Sequence, residues 1–293
     1  MIVAGVDSSA ESRNATRWAA TVAARRGIPL HIVHVVPPDI TFYGEPGDNA
    51  ITDEYRAAGE ALAADVLSVV QSDEPTLAVQ CSVRTGSTAA DVLLDAARDA
   101  SMVVIGSKFS GPIEGYLNAT ALRLAHHAPS ALTVWRGPDR DARPDRRPVV
   151  VGVDGSPCST AAVAQAFDLA SLFDAPLVAV HSWTEGFPHQ TGPPPAIAHR
   201  YPVAEAEQAL LAENLAGWPQ QYPDVAVTQV TESGTPADVL LHACRDAQLL
   251  VVGTHGRTSL GRALLGSTSQ DMLHRAPCPT MVCREHSAPT TTR

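Results

Sequence analysis

An internal repeat constrains this chain more than any other feature. The segment TAADVLLDAARDASMVVIG, Thr88 to Gly106, aligns with TPADVLLHACRDAQLLVVG, Thr235 to Gly253, and twelve of the nineteen positions are identical. The same offset of 147 places Asp7 on Asp154. Solenoid repeats have periods of roughly 20 to 50 residues. A period this long therefore indicates that a whole domain has been duplicated.

The join between the two copies is the segment GPDRDARPDRRP, Gly137 to Pro148, which lacks apolar periodicity and has the composition of an exposed linker. We predict a first domain at 1–137, a linker at 138–147 and a second domain at 148–286. The Ser-, Pro- and Thr-rich segment 287–293 is predicted to be a flexible tail.

Each copy alternates short apolar runs with Ala-rich helical stretches. Such alternation predicts an α/β fold with a parallel sheet and helices on both of its faces, that is, two tandem doubly wound domains. Nearly continuous apolar strands agree with this, because both faces of a parallel sheet are covered. The predicted strands are Ile2–Val6, Leu30–Val36, Thr76–Val83, Met102–Ile105 and Ala131–Trp135 in the first copy, and Val149–Val153, Leu177–His181, Val225–Val230, Leu249–Val252 and Thr280–Cys283 in the second.

Charge and cysteine content indicate which partners this protein is unsuited to bind and in which compartment it is expected. The net charge of −10 disfavours nucleic acid and anionic membranes as partners, since both attract clustered Lys and Arg. No apolar run approaches the length of a bilayer span, and the start of the chain does not resemble a signal peptide. The five cysteines form no CxxC pair. We therefore expect a cytoplasmic protein without disulfide or zinc framework.

Ligands of open parallel sheets bind beyond the carboxyl ends of the strands, where strand order reverses. In each copy two loops are candidates: one after the first strand, with Asp7 or Asp154, and one after the fourth, starting at Gly106 or Gly253. If the first and fourth strands are neighbours, both loops flank one crevice. A carboxylate there would accept hydrogen bonds from ribose hydroxyls.

The loop after the fourth strand of the second copy has the composition of a phosphate site. Glycines allow the backbone to turn sharply and approach a ligand. Gly266-Ser267-Thr268 opens a helix, whose free N–H groups and dipole favour an anion. Arg257 would either neutralise phosphate charge or be a surface arginine without a specific role, and His255 would contact either phosphate or solvent. The candidate residues of this loop are Gly253, Thr254, His255, Gly256, Arg257, Gly266, Ser267 and Thr268.

The segment Gly261 to Thr268 also fits a Walker A pattern in which Ser267 replaces the lysine. Without that lysine, and without a strand directly before it, the segment is a poor candidate for a P-loop NTPase.

The spacing G-x2-G-x9-G-[S/T], with VDGS (Val153 to Ser156) after the first strand and the closing RAPCPTMVCR, resembles the universal stress protein family in its tandem-domain form. This resemblance implies a five-stranded parallel sheet of order 3-2-1-4-5 in each copy. It also implies ATP binding, usually with Mg²⁺, in members that keep the glycines. Asp154, and with it Gly155, would contact the adenosine part, the backbone near His181 would border the adenine, and the glycines and Ser267 would hold the phosphates.

The first copy departs from this pattern. Phe109 stands where the second glycine belongs, Asn118-Ala119 replaces Gly266-Ser267, and the loop is one residue shorter. Asp7 and Gly106 remain, and Asn118 takes the position of a phosphate residue. We expect this site to bind ATP weakly or not at all.

No catalytic residue can be assigned, because no general base is evident beside the phosphate loop. The favoured function is an ATP-binding protein with a regulatory, stress-response role. One alternative is a slow ATPase or phosphotransferase acting through Ser267 or Thr268, and another is an interaction scaffold with a vestigial site. The fifth strands are sheet edges in this topology, so the resemblance also implies an intra-chain pseudo-dimer and further homo-oligomers formed through edge strands.

Overall fold

The computed structural model of the chain describes residues 1–38, 49–107, 119–136, 143–183, 200–256 and 265–285, without the side chains of 49–52 and 200–203. The chain divides into two compact units, whose main bodies are Met1–Pro144 and Asp145–Cys278. None of the helices in these described ranges is long and apolar enough to cross a bilayer.

The first half alternates strands and helices along its whole described length. Its elements are β1 (Ile2–Val6), α1 (Ala10–Arg26), β2 (Leu30–Val36), α2 (Asn49–Asp73), β3 (Val79–Thr85), α3 (Ala89–Ala96), β4 (Met102–Gly106), α4 (Ala119–His127) and β5 (Ala131–Trp135).

The strands of the first half form a parallel sheet in the order β3-β2-β1-β4-β5. Ile2 of β1 lies opposite Leu30 of β2 on one side and Met102 of β4 on the other. Every residue of β1 and β5 is buried. The order of strands expected from the family resemblance is confirmed, and it makes β1 and β4 neighbours.

The second half repeats the arrangement. Strands β8, β7, β6 and β9 are parallel neighbours in that order, and β10 follows β9. The elements are β6 (Val149–Gly152), α5 (Pro157–Phe173), β7 (Leu177–Trp183), α6 (Arg200–Asn214), α7 (Trp218–Gln221), β8 (Val227–Ser233), α8 (Pro236–Ala243), β9 (Leu249–Gly253), α9 (Ser267–Arg275) and β10 (Thr280–Cys283).

Local sequence explains where most helices begin. Ser9 and Ser156 cap α1 and α5 by accepting hydrogen bonds from the backbone N–H groups of Ser12 and Ser159. At α8 the Thr235 hydroxyl accepts from the Asp238 N–H at 3.3 Å and donates to the Asp238 carboxylate at 2.7 Å. The Asp238 carboxylate thus reaches back to the side chain of the N-cap residue and reinforces the start of α8.

The third strand of each half begins later than the apolar pattern predicted. In the first half the N–H of Leu77 donates to the carbonyl of Glu74, and in the second the N–H of Val225 donates to the carbonyl of Tyr222. Each bond closes a tight turn, so the apolar residue that was assigned to the strand belongs to the turn instead. The helix α7 was not predicted; its Trp218 stacks on Phe167 with ring centroids 5.6 Å apart.

Candidate functional site

The loop after β6 presents Asp154 at the carboxyl end of the sheet. The Asp154 N–H donates to the Ser159 hydroxyl at 3.1 Å, and the Asp154 carboxylate accepts from the Ser156 N–H at 2.9 Å. Gly155, between them, has φ +77°, a conformation that glycine adopts without strain. These contacts fix the loop and hold the carboxylate above β6.

The loop after β9 is fixed by backbone bonds at both of its described ends. The N–H of Thr254 donates to the carbonyl of Cys283 at 2.8 Å, and the N–H of Gly266 donates to the carbonyl of Thr254 at 2.7 Å. The Ser156 hydroxyl donates to the carbonyl of His255 at 3.1 Å and so links the two loops directly. The predicted convergence of the loops after the first and fourth strands is therefore observed.

Two glycines of this loop, Gly253 and Gly256, differ in what an added Cβ would contact. A Cβ at Gly253 would lie 2.9 Å from the carbonyl carbon and Cβ of Cys158, so packing against α5 requires glycine there. The same packing occurs at Gly106, where a Cβ would lie 2.3 Å from the Ser12 nitrogen. At Gly256 a Cβ would lie 2.8 Å from the Asp154 carboxylate. The contact at Gly256 is with the movable end of a side chain on the facing loop, so a Cβ there would displace the Asp154 carboxylate and not the backbone.

A cavity of about 320 Å³ opens between these loops, within the range of roughly 300 to 1,000 Å³ common for small-molecule sites. The valine and leucine side chains of its lining are buried, whereas Asp154, Gly256, Ser267 and Thr268 are partly or fully exposed. Of the predicted residues, the cavity is lined by Asp154, Gly253, His255, Gly256, Gly266, Ser267 and Thr268; it is also lined by Gly152, Val153, Ser159, Val180, Ser182, Pro236, Leu240, Val252 and Ser269.

The N-terminus of α9 forms one wall of the cavity. Its N-cap is Gly266, which makes no side-chain cap hydrogen bond. Helices α1, α3, α5 and α8, by contrast, each have a Ser or Thr whose side chain fills this role. Ser267 and Thr268, the first residues of α9, line the cavity. The positive end of the helix dipole therefore faces the cavity.

Several of the predicted residues are not among the described residues that line this cavity. Of the described residues, Gly155, Thr254 and His181 are not part of the cavity lining. Thr254 is buried, and its contribution is the carbonyl that fixes Gly266. Arg257 and Asn118 lie outside the described residues.

The side chain of His181 is directed away from the cavity. Its Nδ1 lies 2.6 Å from the carbonyl oxygen of Val153, and its Nε2 lies 2.8 Å from a carboxylate oxygen of Glu207 on α6. Val180 and Ser182, its neighbours in β7, line the cavity instead. Side chains alternate between the faces of a strand. That period of two is the signal by which Val180 and Ser182 could have been predicted.

The corresponding cavity of the first half is smaller, about 110 Å³. It is lined by both predicted residues that the structure describes there, Asp7 and Gly106. The Ser9 hydroxyl and the Ser9 N–H both donate to the Asp7 carboxylate. Burial alone would raise the pKa of Asp7, but the hydrogen bonds from Ser9 and Ser12 outweigh it and lower that pKa. Asp7 is thus engaged locally, whereas Ser156, the counterpart of Ser9, contacts the opposite loop.

Within the described ranges, no group of three or more His, Cys, Asp or Glu side chains is arranged to hold a metal ion.

The family model described as "Universal stress protein family" matches residues 1–136 and 145–284. A universal stress protein of Mycolicibacterium smegmatis is 38% identical over 289 residues, which cover 97% of this chain and 96% of that protein. A universal stress protein of Mycobacterium tuberculosis is 36% identical over 299 residues and is matched over 97% of both chains.

Among solved structures, a universal stress protein from Archaeoglobus fulgidus aligns with a TM-score of 0.71 at 18% identity, covering 97% of this chain and 95% of the other. This likeness concerns the fold alone. The sequence matches cover both copies of the repeat and nearly the full length of the relatives. The chain therefore belongs to the universal stress protein family, with one match to the family domain in each half.

Proposed function

We propose that the second half binds an adenine nucleotide, with ATP as the preferred ligand, and that the nucleotide sets the conformation or partner affinity of a cytoplasmic regulatory protein. The observation that carries this proposal is the cavity of about 320 Å³ with the α9 N-terminus on one wall and Asp154 in its lining. The α9 N-terminus favours an anion, and the Asp154 carboxylate favours a ligand group with hydroxyl donors.

The phosphates would lie against the start of α9. Gly266 and Gly256 leave the backbone accessible, and Ser267 and Thr268 add hydroxyl donors beside the N–H groups of the first turn. A phosphate bound in this way satisfies N–H groups that in an ordinary helix are satisfied by a capping side chain. Mg²⁺ would arrive with the nucleotide, because this ion is usually held largely by phosphate oxygens and water.

The nucleoside would lie over the buried apolar side chains of the cavity lining. Val153, Val180, Leu240 and Val252 offer surface for a purine ring, and Asp154 would accept from the ribose hydroxyls. Ser182, near the carboxyl end of β7, also lines the cavity and would offer a hydroxyl to the purine ring. The choice of adenine rests on the family resemblance, whereas the choice of a polyphosphate rests on the α9 terminus.

The decisive experiment has two parts. One sample of the purified protein is denatured to identify any ligand that it carries. A second, native sample of the full chain is titrated by calorimetry with Mg·ATP, ADP, AMP, cyclic AMP and adenosine. Thr268→Ala should weaken ATP binding at least about tenfold, as expected for one lost hydrogen bond to a charged group, and should leave adenosine affinity unchanged. Thr120→Ala, at the matching position of the first half, is the control. Absence of both released nucleotide and binding heat would refute the proposal.

Single-turnover phosphate release separates binding from the alternative of a slow ATPase or phosphotransferase. A measurable rate that Gly266→Val abolishes would favour the enzyme. Binding without such a rate would favour the regulatory function. For the chain as a whole we propose domains at 1–137 and 148–286 joined by a linker, and association through the edge strands as a pseudo-dimer or larger oligomer. Residues 138–142 of the predicted linker and the predicted tail at 287–293 lie outside the described residues.

A further inference from the structure

Cys158 lies beside the loop Gly253–Gly256 of the second half and is not among the residues that line the cavity. Cys158 is the second residue of α5 and is partly exposed. The Thr254 hydroxyl donates to its Sγ at 3.4 Å, and Nδ1 of His255 lies 4.0 Å from the same sulfur. Both of these partners belong to the loop that follows β9.

One arginine and a helix N-terminus favour negative charge at this sulfur. Arg284, which follows β10, lies near enough to interact with a charge on Cys158: burial lowers the pKa of Arg284, and a negative Cys158 acts against that change. The N-terminus of α5 adds the positive end of a helix dipole. Negative charge that develops on the sulfur during a reaction is therefore favoured here.

The first half has an acidic residue at the equivalent position. With the offset of 147, Glu11 corresponds to Cys158, and Arg136 follows β5 as Arg284 follows β10. The two halves thus share a position at the start of a helix that suits negative charge, and only the second half has a nucleophile there.

We propose that Cys158 is a peroxide-reactive thiol: hydrogen peroxide oxidises it to a sulfenic acid, and this modification displaces the loop Gly253–Gly256. The Cys158 thiolate attacks one oxygen of the peroxide, so that an S–O bond forms as the O–O bond breaks. Hydroxide leaves and takes up a proton as water. The sulfur loses two electrons and the peroxide gains them.

Packing transmits this change to the loop. The backbone and Cβ of Cys158 already lie so close to Gly253 that a Cβ there would be only 2.9 Å away, so α5 and the loop are in direct contact at this point. An oxygen added to Sγ occupies space beside the Thr254 hydroxyl and His255. Thr254 also holds Gly266 through its carbonyl, so displacement of Thr254 disturbs the start of α9.

The chain contains a matched reference thiol. Cys81 in β3 is also partly exposed, but its thiol makes a weak contact with the carbonyl of Ala63 at 3.8 Å, and burial raises its pKa. Exposure alone would make the two thiols react at similar rates. The surroundings of Cys158 predict that it reacts at least about ten times faster.

The test exposes the full chain to hydrogen peroxide with a dimedone-type probe and follows each cysteine by peptide mass spectrometry. Adducts should form on Cys158 at least about tenfold faster than on Cys81, should vanish in Cys158→Ser, and should persist in Cys81→Ser. Hydrogen exchange of the amides at 249–256 should rise on oxidation of the parent and of Cys81→Ser, but not of Cys158→Ser.

Equal or slower labelling of Cys158 would overturn the assignment, and so would unchanged amide exchange after its oxidation. Neither readout requires nucleotide. A consequence for affinity rests on the proposed function: oxidised protein should bind ATP at least about fivefold more weakly, with recovery after a thiol reductant. If the reduced protein binds no nucleotide, the proposed function fails, and the labelling and exchange results still decide the reactivity of Cys158.

Discussion

At the scale of single residues, glycines that look equivalent in the sequence have different tasks. Gly253 and Gly106 both pack against the first turn of a helix, which explains why the first half keeps Gly106 although its phosphate pattern is broken. Gly256 instead lies against the Asp154 carboxylate, and both residues line the cavity. A motif glycine is therefore evidence for a ligand only where packing of the protein itself does not require it.

Alanine substitution should separate these two tasks. Gly253→Ala forces a Cβ against Cys158 and should destabilise the protein by about 1 to 3 kcal/mol, as overpacking of a filled interior does. Gly256→Ala is exposed, so its stability should stay within about 0.5 kcal/mol of the parent, while ATP affinity falls. Urea unfolding and calorimetric titration measure the two effects. Equal loss of stability in both variants would contradict the assignment.

Residue-level prediction depended on residue types that by themselves imply a chemistry. Gly256, Gly266 and Asp154 were predicted from glycine and carboxylate placement, and the structure brings them to one cavity. Ser156 was missed as a link between the loops, because its hydrogen bond to the carbonyl of His255 joins positions 99 residues apart. Leu240 was missed because an apolar helix residue has no feature that distinguishes a cavity wall from a core.

At the scale of elements, the apolar runs predicted the central strands, since a strand buried on both faces needs an uninterrupted apolar sequence. The strands β3 and β8 are only partly buried and contain many polar residues. The ends were less predictable. Leu77 and Val225 are apolar, but their N–H groups close turns before β3 and β8. Hydrogen bonds of this kind depend on the backbone path and leave no mark on the hydrophobic pattern.

Asp73, the last residue of α2, forms a salt bridge to α1 whose contribution to stability should depend on pH. It accepts from Arg17 of α1 at 2.8 Å and from Arg143 at 2.7 Å, and the hydrogen bond from Arg17 is the main reason that its pKa is lowered. A carboxylate with a lowered pKa contributes stability above its unfolded pKa, and this contribution is lost as pH falls through the folded pKa.

Asp73→Asn should therefore cost about 1 to 2 kcal/mol at pH 7, as expected for lost hydrogen bonds between charged groups, and the difference from the parent should shrink below about pH 4. Urea unfolding between neutral and acidic pH measures it. Asp65→Asn removes a more exposed pair, with Arg13, and should cost less than about 0.5 kcal/mol. A cost for Asp73→Asn that is the same at pH 3 and pH 7 would contradict the argument.

At the scale of the whole molecule, duplication has preserved the fold more faithfully than the site. Both halves keep the strand order and an aspartate after the first strand. The cavities nevertheless measure about 320 and 110 Å³. The hydroxyl after the aspartate also differs in its partner: Ser156 donates to the opposite loop, whereas Ser9 donates to its own Asp7. Buried strands constrain the sequence in both copies, while only a copy that binds ligand must keep its loops.

One nucleotide per chain is the expected stoichiometry, because the larger cavity, the α9 terminus and the available Asp154 carboxylate all belong to the second half. Asp154→Asn should weaken ATP binding about tenfold, which corresponds to about 1.4 kcal/mol for lost hydrogen bonds between a carboxylate and ribose hydroxyls. Asp7→Asn, the matched change in the first half, should leave the affinity and the stoichiometry unchanged. Native mass spectrometry counts the bound nucleotides, and calorimetry gives the affinities. Two nucleotides of similar occupancy, or equal effects of the two substitutions, would show that the altered loop of the first half still binds and that the halves are functionally equivalent.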